Sequence, residues 1–266
     1  MNRDFIAKYW YAYIYEQCEN QTHDVEFLLN VLRAETDGSP QKILEVACGG
    51  GRICIPLAEA GYTVTGFDAN EYMLLRCYRR MKGMNNITCY VTDALTSDWG
   101  TGFDVVVLAG NLLINLETGM DYARAQQILI RKAALALKPG GHLYLDFDLH
   151  YDPVRIFNQM GERSYFSGTD DLGTSGRTVS YGSVYDPVTR ICTGTRHWEL
   201  KTNNGESFVA FTEQWHKYIP TQEQVYSWLR EAGLIIERTY KNYTDEPIPE
   251  PLDESMHRAT IWAKRG

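Results

Sequence analysis

The chain has 266 residues, 44% hydrophobic and 23% charged, enough for one large α/β domain or a domain carrying an insertion. Its net charge of −8, with lysine and arginine scattered, argues against a nucleic-acid partner, which needs a basic footprint to neutralise phosphates. No run approaches the ~18 apolar residues of a membrane span, and the charged N-terminus has no apolar signal core, so no membrane partner and a cytoplasmic location are expected.

The first predicted element is a helical stretch over residues 4–34, with Phe27, Leu28, Val31 and Leu32 at helical spacing, ended by Asp37-Gly38-Ser39-Pro40. Strands and helices then alternate. Strands are predicted at Lys42–Ala47, Thr63–Phe67, Ile87–Val91, Asp104–Ala109 and His142–Phe147, with helices around 52–60, 70–82 and 119–138. Short strands apolar on both faces, alternating with helices, predict a parallel sheet covered on both sides.

Past residue 150 the pattern changes. Strand-like runs at 177–185, 190–200 and 207–218 are joined by Asp186-Pro187-Val188-Thr189 and Asn203-Asn204-Gly205, which are hairpin spacings. They predict an antiparallel ribbon inserted after strand five. A helix at 221–232, stopped by Gly233, then strands at 234–240 and 258–264, return the chain to the main sheet. The expected fold is a Rossmann-like, doubly wound, seven-stranded sheet with one antiparallel strand. The expected domains are an N-terminal helical cap (1–40), a cofactor-binding domain (41–150 and 219–266), and a lid or substrate region (151–218).

Chemistry points to "ILEVACGGGR", residues 43–52, a strand running into three consecutive glycines. A glycine-rich turn that opens a helix aims backbone N–H groups at a ligand lying against the main chain. The dinucleotide spacing G-x-G-x-x-G fails, because Gly49-x-Gly51 is followed by Cys54. The strand tips carry Glu45, Asp68 and Asp93, an acidic rim suited to a cationic nucleoside and poorly to pyrophosphate. Cys18, Cys48, Cys54, Cys77, Cys89 and Cys192 fall at no metal-ligand or disulfide-framework spacing, so reduced thiols and no metal are expected.

With these features the chain resembles the class I S-adenosylmethionine-dependent methyltransferases. "LEVACGGGR" is similar to that family's E-x-G-x-G-x-G loop, with Ala47 where many members have the first glycine. "GFDANEYML" is similar to its acidic-loop motif, "CYVTDAL" to its adenine-contact motif, and "LKPGGHLYLDF" to its turn into strand five. The resemblance covers residues 40–150 and, through "WLREAGLIIERTY" and "ATIWAKR", 219–264. It implies S-adenosyl-L-methionine as cofactor, with Glu45 and the Ala109 carbonyl near the methionyl amine and the Gly49–Gly51 backbone beneath. Asp68 would hold the ribose hydroxyls, Ala69 and Met73 would pack on adenine, and Asp93 with the Ala94 N–H would meet the adenine edge. Arg52 would reach the methionyl carboxylate or form a surface pair.

The acceptor is expected to be a small molecule. "AGNLLINL", residues 109–116, lacks the Asn/Asp-Pro-Pro-aromatic motif of nucleobase methyltransferases and is similar to small-molecule members, with Asn115 where those have histidine. Asn111, Asn115, Trp198 and Trp215 are candidate pocket residues. His150, His216 and Tyr11 are candidate catalytic groups, and Tyr11 with Tyr15, four apart on one helical face, could close over the sulfonium by cation–π attraction. The expected reaction is methyl transfer to a nitrogen or oxygen of a metabolite, by a monomer or homodimer. The alternatives are a non-catalytic cofactor-binding module and a nucleotide-cofactor oxidoreductase.

Overall fold

The computed structural model describes residues 2–36 and 41–266. The expected break at Asp37-Gly38-Ser39-Pro40 lies outside the described residues. In chain order the elements are α1 (Arg3–Cys18), α2 (His23–Glu35), β1 (Lys42–Val46), α3 (Cys54–Glu59), β2 (Thr63–Asp68), α4 (Glu71–Arg80), β3 (Ile87–Val91), β4 (Phe103–Leu108), α5 (Tyr122–Ala136) and β5 (Leu137–Asp148). There follow α6 (Pro153–Phe157), β6 (Gln159–Thr169), β7 (Ser175–Asp186), β8 (Ile191–Lys201), β9 (Ser207–Tyr218), α7 (Gln222–Glu231), β10 (Leu234–Lys241) and β11 (Arg258–Arg265). No helix among the described residues is long and apolar enough to cross a membrane.

The chain divides into two compact units, one of Gln21–Tyr151 with Pro220–Gly266, the other of residues up to Asn20 with Asp152–Ile219. In the first, a seven-stranded sheet runs β10-β11-β5-β4-β1-β2-β3. β1 pairs in parallel with β2 and β4, while β11 runs antiparallel to both β5 and β10. β11 is therefore the single reversed strand, as the closing helix–strand–strand pattern requires. Ile43, Leu44 and Val46 of β1 and Val105, Val106 and Val107 of β4 are buried, which is what helices on both faces demand. Strand order reverses between β4 and β1, so a crevice opens at their carboxyl ends, the usual ligand position in such sheets.

In the second unit, β6-β7-β8-β9 form an antiparallel sheet against which α1 packs. Trp10 and Ile14 of α1 meet Trp198 and Leu200 of β8 in one apolar cluster. The β7–β8 turn is closed by Asp186, whose carboxylate accepts from the Val188 N–H and the Thr189 hydroxyl, both at 2.8 Å.

Three expectations shift. The N-terminal stretch is two helices, α1 and α2, because Glu19-Asn20-Gln21-Thr22 supplies polar breakers in place of the apolar period, and the two helices fall in different units. The inserted sheet has four strands. β6 carries no strand signal in the sequence because it is largely exposed and shows no apolar alternation. Finally, α3 starts at Cys54 rather than at residue 52, since the glycines and Arg52 form turns.

α7 begins with a capping box in which the Thr221 side chain accepts from the Gln224 N–H and the Gln224 side chain accepts from the Thr221 N–H. Thr221→Ala should lower unfolding stability by about 1 kcal/mol. An unchanged midpoint in urea denaturation would contradict this.

Candidate active site

The site is built from the turn that follows β1. The Cys48 N–H still donates to the Phe67 carbonyl at 2.9 Å, extending the β1–β2 pairing by one rung. The chain then bends sharply, with Ala47, Gly49 and Gly51 at φ 58°, 53° and 87°. The two glycines serve different purposes. A side-chain carbon on Gly51 would lie 2.6 Å from Ile55 Cδ1 and 2.9 Å from the Cys77 sulfur, so this position lets the turn pack onto its own core. At Gly49 the same carbon would meet nothing within 4 Å, so the backbone there faces open space. Ala47 holds a left-handed conformation that costs an L-residue about 1–2 kcal/mol, which explains glycine's advantage at that place.

Asp68, ending β2, ties the turn down. One carboxylate oxygen accepts from the Gly49 N–H at 2.9 Å and the other from the Asn70 N–H at 2.7 Å. Burial raises its pKa, and the two backbone N–H groups oppose that rise. Asn70 then caps α4, its side chain accepting from Tyr72 and Met73 N–H. Met73 is buried on α4, whereas Ala69 is exposed beside it.

Glu45, in β1, is 4% exposed. Burial pushes its pKa up to about 8 against the lowering effect of hydrogen bonds with Cys54, and its Oε2 has no hydrogen-bond partner among the described residues. An orphaned acidic oxygen under the turn is a position a cationic group would satisfy.

Asp93 lies just past β3 and is exposed. Its Oδ1 accepts from the Leu95 and Thr96 N–H groups and from the Thr96 hydroxyl, which together hold its pKa low. The neighbouring Ala94 carbonyl accepts from the Trp99 indole at 2.9 Å. Ala109 follows β4 and is half-buried. Arg52 donates to Asp24 of α2 at 2.7 Å and to the Gln21 carbonyl at 3.1 Å, the pairing alternative of its two expected roles.

Asn111 and Asn115, expected in a pocket, differ. Asn111 is buried and clamps β4 to β5, its amide donating to Asp148 Oδ2 at 2.6 Å and its oxygen accepting from the Asp148 N–H at 2.8 Å. Asn115 is exposed. His150 is half-buried just beyond β5, and burial lowers its pKa, so the ring is neutral at neutral pH.

The remaining candidates lie in the other unit. Tyr11 packs edge-on against Phe166 and Trp198, and Tyr15 lies against Phe166. Trp215 of β9 covers Gly194, and His216 beside it is half-buried. One feature the motifs did not signal is Asp146, a buried acid in an apolar strand. It accepts from the Gly110 and Asn111 N–H groups, the Tyr243 hydroxyl and Arg258.

A methyltransferase-domain family model matches residues 43–141. Glycine N-methyltransferase from Rattus norvegicus is 29% identical over 188 residues, 65% of this chain and 63% of that one, so the chain spans less than two thirds of that relative. Among solved structures, an S-adenosylmethionine-dependent methyltransferase from Clostridium acetobutylicum aligns with TM-score 0.73 at 15% identity, covering 96% of this chain and 98% of that one. An amino pentose methyltransferase from Micromonospora echinaspora, with S-adenosylmethionine bound, aligns with TM-score 0.65 at 18% identity over 94% of each chain. The methyltransferase-domain match, the methyltransferases among the relatives and the shared fold support a class I S-adenosylmethionine-dependent methyltransferase, with S-adenosylmethionine as its cofactor.

Glu45 makes a pH prediction. Its folded pKa, about 8, lies above the ordinary 4.5, so its stabilising contribution is complete below pH 4.5 and is lost as pH rises towards 8. Between these limits the folded state holds the proton and the unfolded state does not. Stability should therefore fall by roughly 1.4 kcal/mol per pH unit from this group. Urea titrations of Glu45→Gln at pH 5, 6 and 7 should show that slope removed, and parallel curves for parent and variant would contradict the assignment.

Proposed function

We propose that this enzyme transfers the methyl group of S-adenosylmethionine to a nitrogen or oxygen of a small metabolite by in-line displacement. The observation that carries the cofactor placement is the turn after β1, with Gly49 facing open space, Asp68 at the next strand tip, and a partnerless Glu45 oxygen beneath. The cofactor's sulfonium supplies an electrophilic methyl. The protein's task is then to align the acceptor with the carbon–sulfur bond and to exclude water.

In this reading Asp68 receives the ribose hydroxyls, and Glu45 with the Ala109 carbonyl supports the methionyl ammonium. Ala69 and Met73 flank the adenine, and Asp93 with the Ala94 N–H meets its edge. The Gly49–Gly51 backbone underlies the methionyl and ribose parts, with Ala47 shaping the bend. An ammonium beside Glu45 favours the ionised carboxylate, so binding should release a proton near neutral pH. His150, neutral and next to the end of β5, is the candidate base within this unit where the acceptor arrives protonated. Arg52, engaged with Asp24, holds α2 to the turn.

The small-molecule reading is supported by the similarity to glycine N-methyltransferase and by the acidic net charge, which disfavours nucleic acid. The four-stranded unit, inserted where the chain leaves β5, is the proposed source of acceptor selection, with Trp198, Trp215, Tyr11, Tyr15 and His216 as its candidate residues. A cytoplasmic location fits this reading.

Asp68→Ala should weaken S-adenosylhomocysteine binding at least tenfold in calorimetry, because two charge-assisted hydrogen bonds of about 1.5–3 kcal/mol each are lost. Some thermal stability should go as well, since the same carboxylate anchors Gly49 and Asn70. Incubating the parent enzyme with methyl-labelled cofactor and a metabolite extract should label a compound of low mass. Unchanged affinity in the variant would overturn the cofactor placement, and label confined to nucleic acid would overturn the acceptor class.

A further inference from the structure

Directly beneath the glycine turn lie four cysteines that the proposed chemistry does not use. The sulfurs of Cys48, Cys54 and Cys89 all lie within 4.8 Å of one another, and the Cys77 sulfur is 3.6 Å from that of Cys89. All four are buried free thiols, and they come from four separate places in the fold. Cys48 lies in the turn after β1, Cys54 opens α3, Cys77 is on α4, and Cys89 is on β3. Their sequence separations match no metal-binding motif, so only the fold brings them together.

Two glycines open the space that the sulfurs fill. A side-chain carbon on Gly66 of β2 would lie 2.9 Å from the Cys48 sulfur and 3.2 Å from that of Cys89, and one on Gly51 would lie 2.9 Å from that of Cys77. Positive charge is at hand as well. Arg80 donates to the Gly50 carbonyl at 3.0 Å and its charge acts on Cys77.

We propose that Cys48, Cys54, Cys77 and Cys89 form a tetrahedral thiolate site for a thiophilic divalent cation of the zinc class. Zinc–sulfur bonds of about 2.3 Å place tetrahedral sulfurs about 3.8 Å apart, inside the 4.8 Å that bounds the Cys48, Cys54 and Cys89 sulfurs and close to the 3.6 Å between Cys77 and Cys89, so Cys77 would be the fourth ligand, drawn in from α4. Thiolates are soft donors and select such ions over magnesium or calcium. The ion displaces thiol protons on binding, so uptake releases protons and strengthens with rising pH. Because Cys48 and Gly51 belong to the turn itself, a bound ion would fix the cofactor loop from below, a structural role separate from methyl transfer.

The test uses the full chain, reduced, stripped with chelator and kept free of oxygen. Titration with Co2+ should produce a thiolate-to-cobalt charge-transfer band that saturates at one equivalent and is abolished by Zn2+. Cys89→Ser should lose or strongly weaken the band, while Cys18→Ser and Cys192→Ser, whose thiols lie elsewhere, should keep it. Should Cys89→Ser fail to fold, thiol labelling of the unfolding parent decides the matter. Zn2+ should slow the release of four of the six thiols, with Cys18 and Cys192 reacting as before. Absence of a saturating band in the parent, or an unaltered band in a folded Cys89→Ser, would overturn the proposal and leave the cluster as small apolar filling. Equal labelling rates with and without Zn2+ would do the same.

Discussion

The hydrogen bond from the Gly49 N–H to the Asp68 carboxylate joins the tips of the two strands that carry the site. Left to itself, the turn after β1 would be a poor structure, because Ala47, Gly49 and Gly51 are all left-handed and glycine is costly to order. Asp68 offsets that cost by accepting one N–H from the turn and another, from Asn70, at the start of the next helix. A single half-buried carboxylate therefore ties the turn after β1 to the start of α4. Its negative charge makes this tip a better partner for hydroxyl donors than for phosphate, in line with the proposed cofactor placement.

The other side of the strand-order reversal is built on the same logic. Asp146, fully buried near the end of β5, accepts from the Gly110 and Asn111 N–H groups that follow β4, so the second turn is also held by an acid on the neighbouring strand. Arg258 of the reversed strand β11 compensates it at 3.2 Å and reaches Asp148 at 2.8 Å. Burial raises the Asp146 pKa while the Arg258 charge opposes the rise, as for a desolvated ion pair. The antiparallel strand thus supplies the cation that pairs with this buried acid.

Much of this was readable in the sequence because it rests on local patterns. Strand periodicity, the Gly49–Gly51 run and the acids at residues 45, 68 and 93 each occupy a few adjacent positions. What escaped was either non-local or nearly featureless. The four cysteines meet only after β1, α3, α4 and β3 are assembled. Asp146 reads as an interruption in an apolar strand until Arg258, more than a hundred residues later, is placed beside it. β6 is an exposed, polar strand whose pairing with β7, rather than its own sequence, makes it a strand. The pairing of Asn111 with Asp148, across β4 and β5, is likewise invisible in its motif.

On the proposed function, an acidic strand-tip cradle should select a sulfonium nucleoside over a dinucleotide. The most direct measurement is calorimetric titration of the same purified protein with S-adenosylmethionine and, separately, with NAD. The account predicts saturable binding of S-adenosylmethionine at a single site, with proton release near neutral pH, and no heat above dilution for NAD. Binding of NAD in place of S-adenosylmethionine would contradict it.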